Sequence, residues 1–349
     1  MNKDVYSSHK FVYLLPELQK VKRGEIVSPV NMQIDLTNKC NYDCSFCYYH
    51  IHNHLKDFHS QDWLKEEEAI KIIREAKDYG LKSVEITGGG EPLLVKYFRE
   101  FSQEARDLEL ERALVTNGVF LDKHIDEVKD YSWVRVSMDA ITPEAYTRVH
   151  RRDGRNLRRV KRGIEELCKV KDNDNVIGIS TIVCRENYQD IVNLTKYAKE
   201  IGADNLRISI AHTPQREHIF DGIWDEVVEQ IEEAKELQTD DFKVFAFSNR
   251  IKDIAGETRG GFCYYHHFTT AVGANGALYP CCYFKYIPKY NFGNLKEQSF
   301  QEIWEGEKRK KFIETIARDC PASCWMTEKN SFARYLTLNE DEVPHLNFP

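Results

Sequence analysis

The chain has 349 residues, 42% hydrophobic and 30% charged, with 49 Lys and Arg against 56 Asp and Glu and a formal net charge of −7. That length suits one large domain, or a large domain with a small appendage, and the acidic balance argues against a dedicated nucleic-acid binder. No apolar run approaches the roughly 18 residues of a membrane helix and the N-terminus lacks a secretory apolar segment, so a cytoplasmic location without a membrane partner is expected.

In chain order, residues 1–29 read as an N-terminal extension. From 30 to 215, short Val- and Ile-rich runs alternate with helical periodicities. Met32–Leu36, Ser83–Thr87, Ala113–Thr116, Val134–Met138, Val176–Val183 and Asn205–Ile210 read as strands. Ile70, Ile73 and Ala76 mark one helix face between them; Leu157, Val160, Ile164 and Leu167 mark a second, and Ile191, Leu194, Ala198 and Ile201 a third. Six strands alternating with helices predict an α/β fold, a partial (β/α)6 TIM-like barrel whose ligands gather at the C-terminal strand ends. The segment 216–258 reads as connecting and helical, with a helix over Ile223–Leu237. Residues 259–326 form a small C-terminal α+β unit, with strand-like pieces at Ala271–Val272 and Ala277–Tyr279 and one helix over Phe300–Ala317. The tail 327–349 is polar and is assigned no chemistry. The basic stretches Arg148–Arg162 and Glu307–Lys311 read as solvated helix faces.

Ten cysteines are unusual for such a chain. In a reducing compartment, clustered cysteines point to metal binding or catalysis before disulfides. Cys40, Cys44 and Cys47 are spaced C-x3-C-x2-C directly after the first strand. Three thiolates on a four-iron cluster would leave one iron without a protein ligand, and an open position is what lets a metal site activate a substrate. A zinc knuckle completed by His50, His52 or His54 is the bland alternative; its ligand pairs are ordinarily spaced more widely.

The loop, with Phe46 before its third cysteine, resembles the signature of the radical S-adenosylmethionine (SAM) superfamily. Further segments resemble that family in order: Gly88-Gly89-Gly90-Glu91-Pro92 after the second strand, Thr116-Asn117-Gly118 after the third, and Ser137-Met138-Asp139-Ala140 after the fourth. The resemblance implies a [4Fe–4S] cluster on Cys40, Cys44 and Cys47. It also implies SAM contacts from Phe46, Gly89, Gly90, Glu91, Asn117, Ser137 and Asp139, with Glu91 holding the methionine amino group. In relatives an arginine often meets the SAM carboxylate. Here His150 stands in that place with Arg148, Arg151 and Arg152 beside it; Arg151 is the expected contact, with the others left open.

Cys263, Cys281 or Cys282, Cys320 and Cys324 form a second group. With Gly293-Asn294-Leu295 and Ile303-Trp304, they resemble the SPASM family in its shorter twitch form, which implies one auxiliary [4Fe–4S] cluster. The family places the ligand directly after the proline, which favours Cys281 and leaves Cys282 beside the cluster. A zinc site on the same four cysteines is the alternative. Cys168 reads as a core thiol, and Cys184 and Cys282 are candidate hydrogen-atom donors.

By resemblance, the reaction is reductive cleavage of SAM to a 5′-deoxyadenosyl radical that abstracts a substrate hydrogen atom. Oxidation through the auxiliary cluster is favoured over epimerisation with a cysteine donor or over peptide maturation; a non-catalytic zinc or iron–sulfur scaffold is the reading from another class. The roughly thirty residues before Cys40 are too few for a leader-binding domain, which favours a small polar substrate, a sugar or amino acid derivative, over a short peptide. An external one-electron reductase such as flavodoxin or ferredoxin is the expected partner.

Overall fold

The computed structural model describes residues 6–172, 174–211, 220–246, 262–320, 324, 326–339 and 342, with the side chains of 317–319 left aside. The expected boundaries at 215/216 and 258/259 fall outside these residues.

Six parallel strands form where the sequence places them: β1 (Asn31–Asp35), β2 (Ser83–Thr87), β3 (Glu111–Thr116), β4 (Trp133–Ser137), β5 (Val176–Val183) and β6 (Asn205–Ile210). Adjacent strands pair in numerical order, the connectivity of successive βαβ units. The helices between them bury one face each. Glu66–Tyr79 buries Ala69, Ile72, Ile73 and Ala76, so Ile72 and Ala69 share the core with the expected Ile73 and Ala76, and Ile70 is only half-buried. Asn156–Val170 buries Leu157, Val160, Ile164 and Leu167, and Ile191–Glu200 buries Ile191, Leu194 and Ala198. Cys168 is half-buried against this core.

The sheet extends beyond the six expected strands. The connecting segment carries a helix, Trp224–Glu236, and also a seventh parallel strand, β7 (Lys243–Ala246), paired with β6. At four residues β7 is too short to declare itself by alternation. On the other side β8 (Thr269–Val272) pairs in parallel with β1. The antiparallel β9 (Ala277–Tyr279) and β10 (Gly293–Asn294) complete a sheet in the order β10-β9-β8-β1-β2-β3-β4-β5-β6-β7, open between β10 and β7. The cysteine-rich C-terminal segment is thus hydrogen-bonded into the barrel sheet.

Two expectations are corrected. The single helix over Phe300–Ala317 is two helices, Phe300–Trp304 and Glu307–Asp319, because Gly306 leaves helical geometry at ψ 160° and restarts the chain; Arg309 folds back over the Trp304 ring at 3.7 Å. The polar tail contributes a helix, Thr327–Tyr335, whose Ala333 joins Phe11, Leu18, Val21, Val27 and Phe268 in a second apolar cluster under the barrel's N-terminal segment. No helix among the described residues is long and apolar enough to cross a membrane.

Candidate active site

A cavity of about 1300 Å³ runs through the open barrel from the N-terminal segment to the C-terminal strand ends. Cys40, Cys44 and Cys47 line its upper rim on the loop that leaves β1. Backbone amides lie against this loop's sulfurs and turns: Tyr42 N–H points at Cys40 Sγ at 3.4 Å, and Cys47 N–H donates to the Cys44 carbonyl at 3.1 Å. Burial pushes the Cys40 thiol up to about 11 and raises Cys44 and Cys47 as well, with Cys47 and Cys40 adding to the shift at Cys44. Crowded thiols that resist ionisation fit a polynuclear iron centre, whose positive charge compensates three thiolates at once. Among the described residues, no three His, Cys, Asp or Glu side chains gather tightly enough to share one metal ion; a four-iron cluster takes its thiolates at separate corners.

The glycine turn after β2 is stitched to this loop. Gly90 N–H donates to the Thr37 carbonyl at 3.1 Å and Glu91 N–H to the Lys39 carbonyl at 2.9 Å. A Cβ on Gly90 would strike the Lys39 carbonyl, and one on Gly89 the Asn38 side chain and the Phe58 ring, so only glycine permits the approach. Glu91 is 2% exposed and accepts from Thr116 Oγ1 at 2.7 Å, from the Asn117 amide at 2.8 Å and from the Leu93 amide at 3.0 Å. A carboxylate has about four acceptor sites, so three donors hold it rigid and leave a direction toward the cavity it lines. Burial pushes Glu91 up to about 7, a cost that a bound ammonium would relieve.

The turns after β3 and β4 complete the rim. Asn117 donates through Nδ2 to Asn41 on the cysteine loop at 2.8 Å. Ser137 and Asp139 line the cavity, and Asp139 accepts the Ile182 amide at 2.6 Å. His150 is buried between them: Nδ1 lies 3.1 Å from Cys44 Sγ and Nε2 3.7 Å from Asp139, and burial lowers its pKa to about 4. Phe46 lines the cavity and packs on Val149, Cys184 and Ala211.

Arg151 does not go where expected. It takes the left-handed conformation (φ 52°) that ends the helix Pro143–His150, its half-exposed side chain turns out to Asp43 at 4.0 Å, and it does not line the cavity. Arg152 donates to the Asn41 carbonyl at 2.8 Å, also off the cavity, and Arg148 is not among the lining residues. Of the four open choices only His150 faces inward. Cys184 is 2% exposed beneath the rim, with Sγ donating to Asn187 at 3.4 Å, and likewise does not line the cavity.

The C-terminal segment brings its cysteines to the same side. Burial raises the thiols of Cys263 (up to about 11) and Cys281, with Cys282 and Cys324 adding to the shift at Cys281 and Cys324 to that at Cys263, while the contact with Cys324 leads the rise at Cys320. These four half-buried thiols are enough in number to ligate a four-iron cluster. Cys282 instead lines the cavity.

A buried network ties both cysteine-bearing segments together, and nothing in the sequence announces it. Asp35, at the end of β1, accepts the Gly89 amide at 3.0 Å, Lys285 Nζ at 2.7 Å and the Tyr286 hydroxyl at 2.8 Å. Tyr286 also reaches Asn38 Oδ1 at 2.6 Å and receives the Ala274 amide at 2.9 Å. Asp35 and Lys285 are 0% and 1% exposed. One carboxylate thus holds the glycine turn and the segment just after Cys281 and Cys282.

Comparison with known proteins accords with this geometry. Residues 34–198 match the radical SAM superfamily and residues 263–326 an iron–sulfur cluster-binding domain, SPASM. The chain belongs to the radical SAM superfamily. Its C-terminal segment is a SPASM domain, and the cofactors are the radical SAM [4Fe–4S] cluster, SAM and auxiliary iron–sulfur. Curated relatives include a probable GTP 3′,8-cyclase of Methanococcus maripaludis, 28% identical over 176 residues, half of this chain and 56% of the relative. The GTP 3′,8-cyclase of Helicobacter pylori is 26% identical over 267 residues, 73% of this chain and 80% of that protein. The chain spans little more than half the length of the first such relatives. In fold it is similar to Streptococcus suis SuiB bound to S-adenosylmethionine (TM-score 0.65, 16% identity, 90% of this chain and 75% of that one). It is also similar to anSMEcpe with bound AdoMet (TM-score 0.56, 18% identity, 86% and 84%). The radical SAM rim is thus the set of turns after β1 to β4, and the SPASM thiols stand beside β1 through β8.

Proposed function

We propose that this radical SAM protein oxidises a substrate held in the barrel cavity, using both cysteine-bearing ends of the molecule. The reading is carried by one observation: Cys40, Cys44 and Cys47 on one side and Cys282 on the other line a single cavity. When bound, a [4Fe–4S] cluster on Cys40, Cys44 and Cys47 would supply the electron for reductive cleavage of SAM and so for hydrogen-atom abstraction from the substrate, and an auxiliary cluster on Cys263, Cys281, Cys320 and Cys324 would take up the electron that oxidation of the substrate releases.

The chain's own residues bind and exclude water. Cys40, Cys44 and Cys47 hold the first cluster and Cys263, Cys281, Cys320 and Cys324 the second. Glu91 receives the methionine ammonium, with Gly89 and Gly90 giving its backbone room, and Asn117, Ser137 and Asp139 bound the rest of SAM beside Phe46. His150, neutral in its buried site, positions Cys44 with a proton on Nδ1. Cys282, facing the cavity, is better placed than Cys184 to return a hydrogen atom, the step an epimerase needs. A one-electron reductase such as flavodoxin or ferredoxin supplies the first electron.

A small polar substrate remains the favoured class. Two other classes are supported by similarity and belong in the same assay: GTP, after the names of the curated relatives, and a peptide, after SuiB bound to precursor peptide SuiA. The test is anaerobic reconstitution, iron and sulfide counting, and release of 5′-deoxyadenosine on reduction with SAM. About eight irons per chain are expected from two four-iron clusters. Full product turnover by Cys263→Ala would remove the oxidative role of the auxiliary cluster, and product retaining both substrate electrons would replace oxidation by epimerisation.

A further inference from the structure

The helix Pro143–His150 ends against the cysteine loop, and two backbone bonds lace them together on either side of Cys44. Asp43 N–H donates to the His150 carbonyl at 3.3 Å and Ser45 N–H to the Val149 carbonyl at 3.0 Å. Between these bonds the Cys44 sulfur meets the His150 ring, Sγ to Nδ1 3.1 Å. The ring is 1% exposed and packs against two tyrosines, its centroid 4.4 Å from Tyr146 and 5.0 Å from Tyr42. Those tyrosines hydrogen-bond to each other through their hydroxyls. The contact between ring and sulfur is therefore built from both segments.

The other two thiols of the loop are met differently, Cys40 by the Tyr42 amide and the Asn117 side chain, Cys47 by the Tyr49 and His50 amides. At Cys44 the donor is an imidazole. A thiolate bound to iron has lone pairs and no proton, so the ring that meets it donates from Nδ1, and Nε2 keeps its lone pair. Nε2 has no hydrogen-bond partner among the described residues. Asp139, the carboxylate it faces, lies 3.7 Å away. In this tautomer the ring offers a SAM carboxylate no donor, unlike the arginine that relatives often carry at this place, whose guanidinium has five.

We propose that His150 is a positioning residue that sets the reduction potential of the first cluster through Cys44, in place of a contact to the SAM carboxylate. An N–H directed at a ligating sulfur favours the more negative, reduced state and so raises the potential. The electron comes from a one-electron reductase, no covalent bond forms or breaks, and Nδ1 keeps its hydrogen in both states. This inference rests on Cys44 holding that cluster.

The test is an EPR-monitored redox titration of the reconstituted holoenzyme without SAM, in the wild type and in the isosteric pair His150→Leu and His150→Asn. The signal that changes when SAM is added afterwards identifies the first cluster, and the other signal is the internal control. In His150→Leu the first cluster should become about tenfold harder to reduce, a midpoint lower by about 59 mV for one electron, while the auxiliary midpoint stays. Asparagine puts an amide N–H where Nδ1 stood and should recover more than half of the shift. SAM affinity, from anaerobic equilibrium binding, should stay within about threefold in both variants. An unmoved midpoint in His150→Leu, or an asparagine midpoint as low as the leucine one, would overturn the role. A loss of SAM affinity of about tenfold or more in His150→Leu would also overturn it and give the ring to the carboxylate. Should the variants fail to load iron, pulsed EPR of wild-type protein labelled with nitrogen-15 histidine carries the test. A weakly coupled histidine nitrogen is expected at the reduced first cluster, and its absence would overturn the contact. A shifted midpoint in a protein that leaves its substrate unoxidised would sink the proposed function and leave this role standing.

Discussion

The rim of the barrel and the lumen beneath it are built from the same strands by different means. The rim is backbone: glycines that admit a neighbouring carbonyl, amides that clamp Glu91, and a loop that presents three thiols. The lumen is side chain: alternate residues of β1 to β7 project inward, and Arg135, Arg207 and Glu85 stand where another barrel would place valine. Backbone geometry tolerates almost no substitution, whereas a lumen residue can change without moving a strand. The fold is shared with SuiB and anSMEcpe at under 20% identity, and a shared fold leaves site residues free to differ.

The sharpest way to separate the two regions is to break the rim. Cys40→Ala should abolish 5′-deoxyadenosine release and remove about four irons per chain, measured by chemical iron analysis; retained iron would mean the first cluster is held elsewhere. Gly90→Ala is the backbone counterpart. The added Cβ meets the Lys39 carbonyl, and displacing the turn should cost roughly 100-fold in deoxyadenosine formation while cluster absorbance stays. Near wild-type rates would show that the close approach is dispensable.

Between rim and SPASM segment lies the Asp35–Lys285 pair. Asp35→Asn leaves a buried ammonium without its counter-charge and should lower stability by about 3–5 kcal/mol, read by anaerobic denaturant unfolding. Asp35→Asn with Lys285→Met should recover part of that loss, and additive losses in the double variant would show that the two groups do not act as a pair.

The smallest effect concerns protons. Burial holds Glu91 near 7, above the ordinary range of a free glutamate, so its charged form is the one the folded protein disfavours. In the SAM-free protein, stability from this group is present at low pH and lost as pH rises from the unfolded value through about 7. SAM binding has the opposite sign, because an ammonium prefers the carboxylate. Affinity should fall up to about tenfold from pH 7 to pH 6, and Glu91→Gln should flatten that dependence in a binding titration. Equal slopes in both proteins would take Glu91 out of the ammonium contact.

Much of this molecule was legible along the chain. The six strands declared themselves because each is a short β-branched run with a turn beyond it, and the thiol and glycine motifs did so because their chemistry needs residues close in sequence. Local spacing could not show β7, four residues long, or the joining of β8 to β1, which depends on a partner more than two hundred residues away. Nor could it show that Arg151 turns outward while His150 turns in, since one left-handed residue at a helix end decides both directions. The Asp35–Lys285–Tyr286 network and the inward direction of Arg135 and Arg207 belong to tertiary structure for the same reason. A charged residue in a strand reads as solvent-facing until barrel curvature makes its face an interior, and a buried ion pair spans 250 residues of sequence. The sequence by itself determined which chemistry the rim could hold; only the curvature of the open sheet around the lumen decided what that chemistry would face, because inward and outward faces are set by the packing of distant strands.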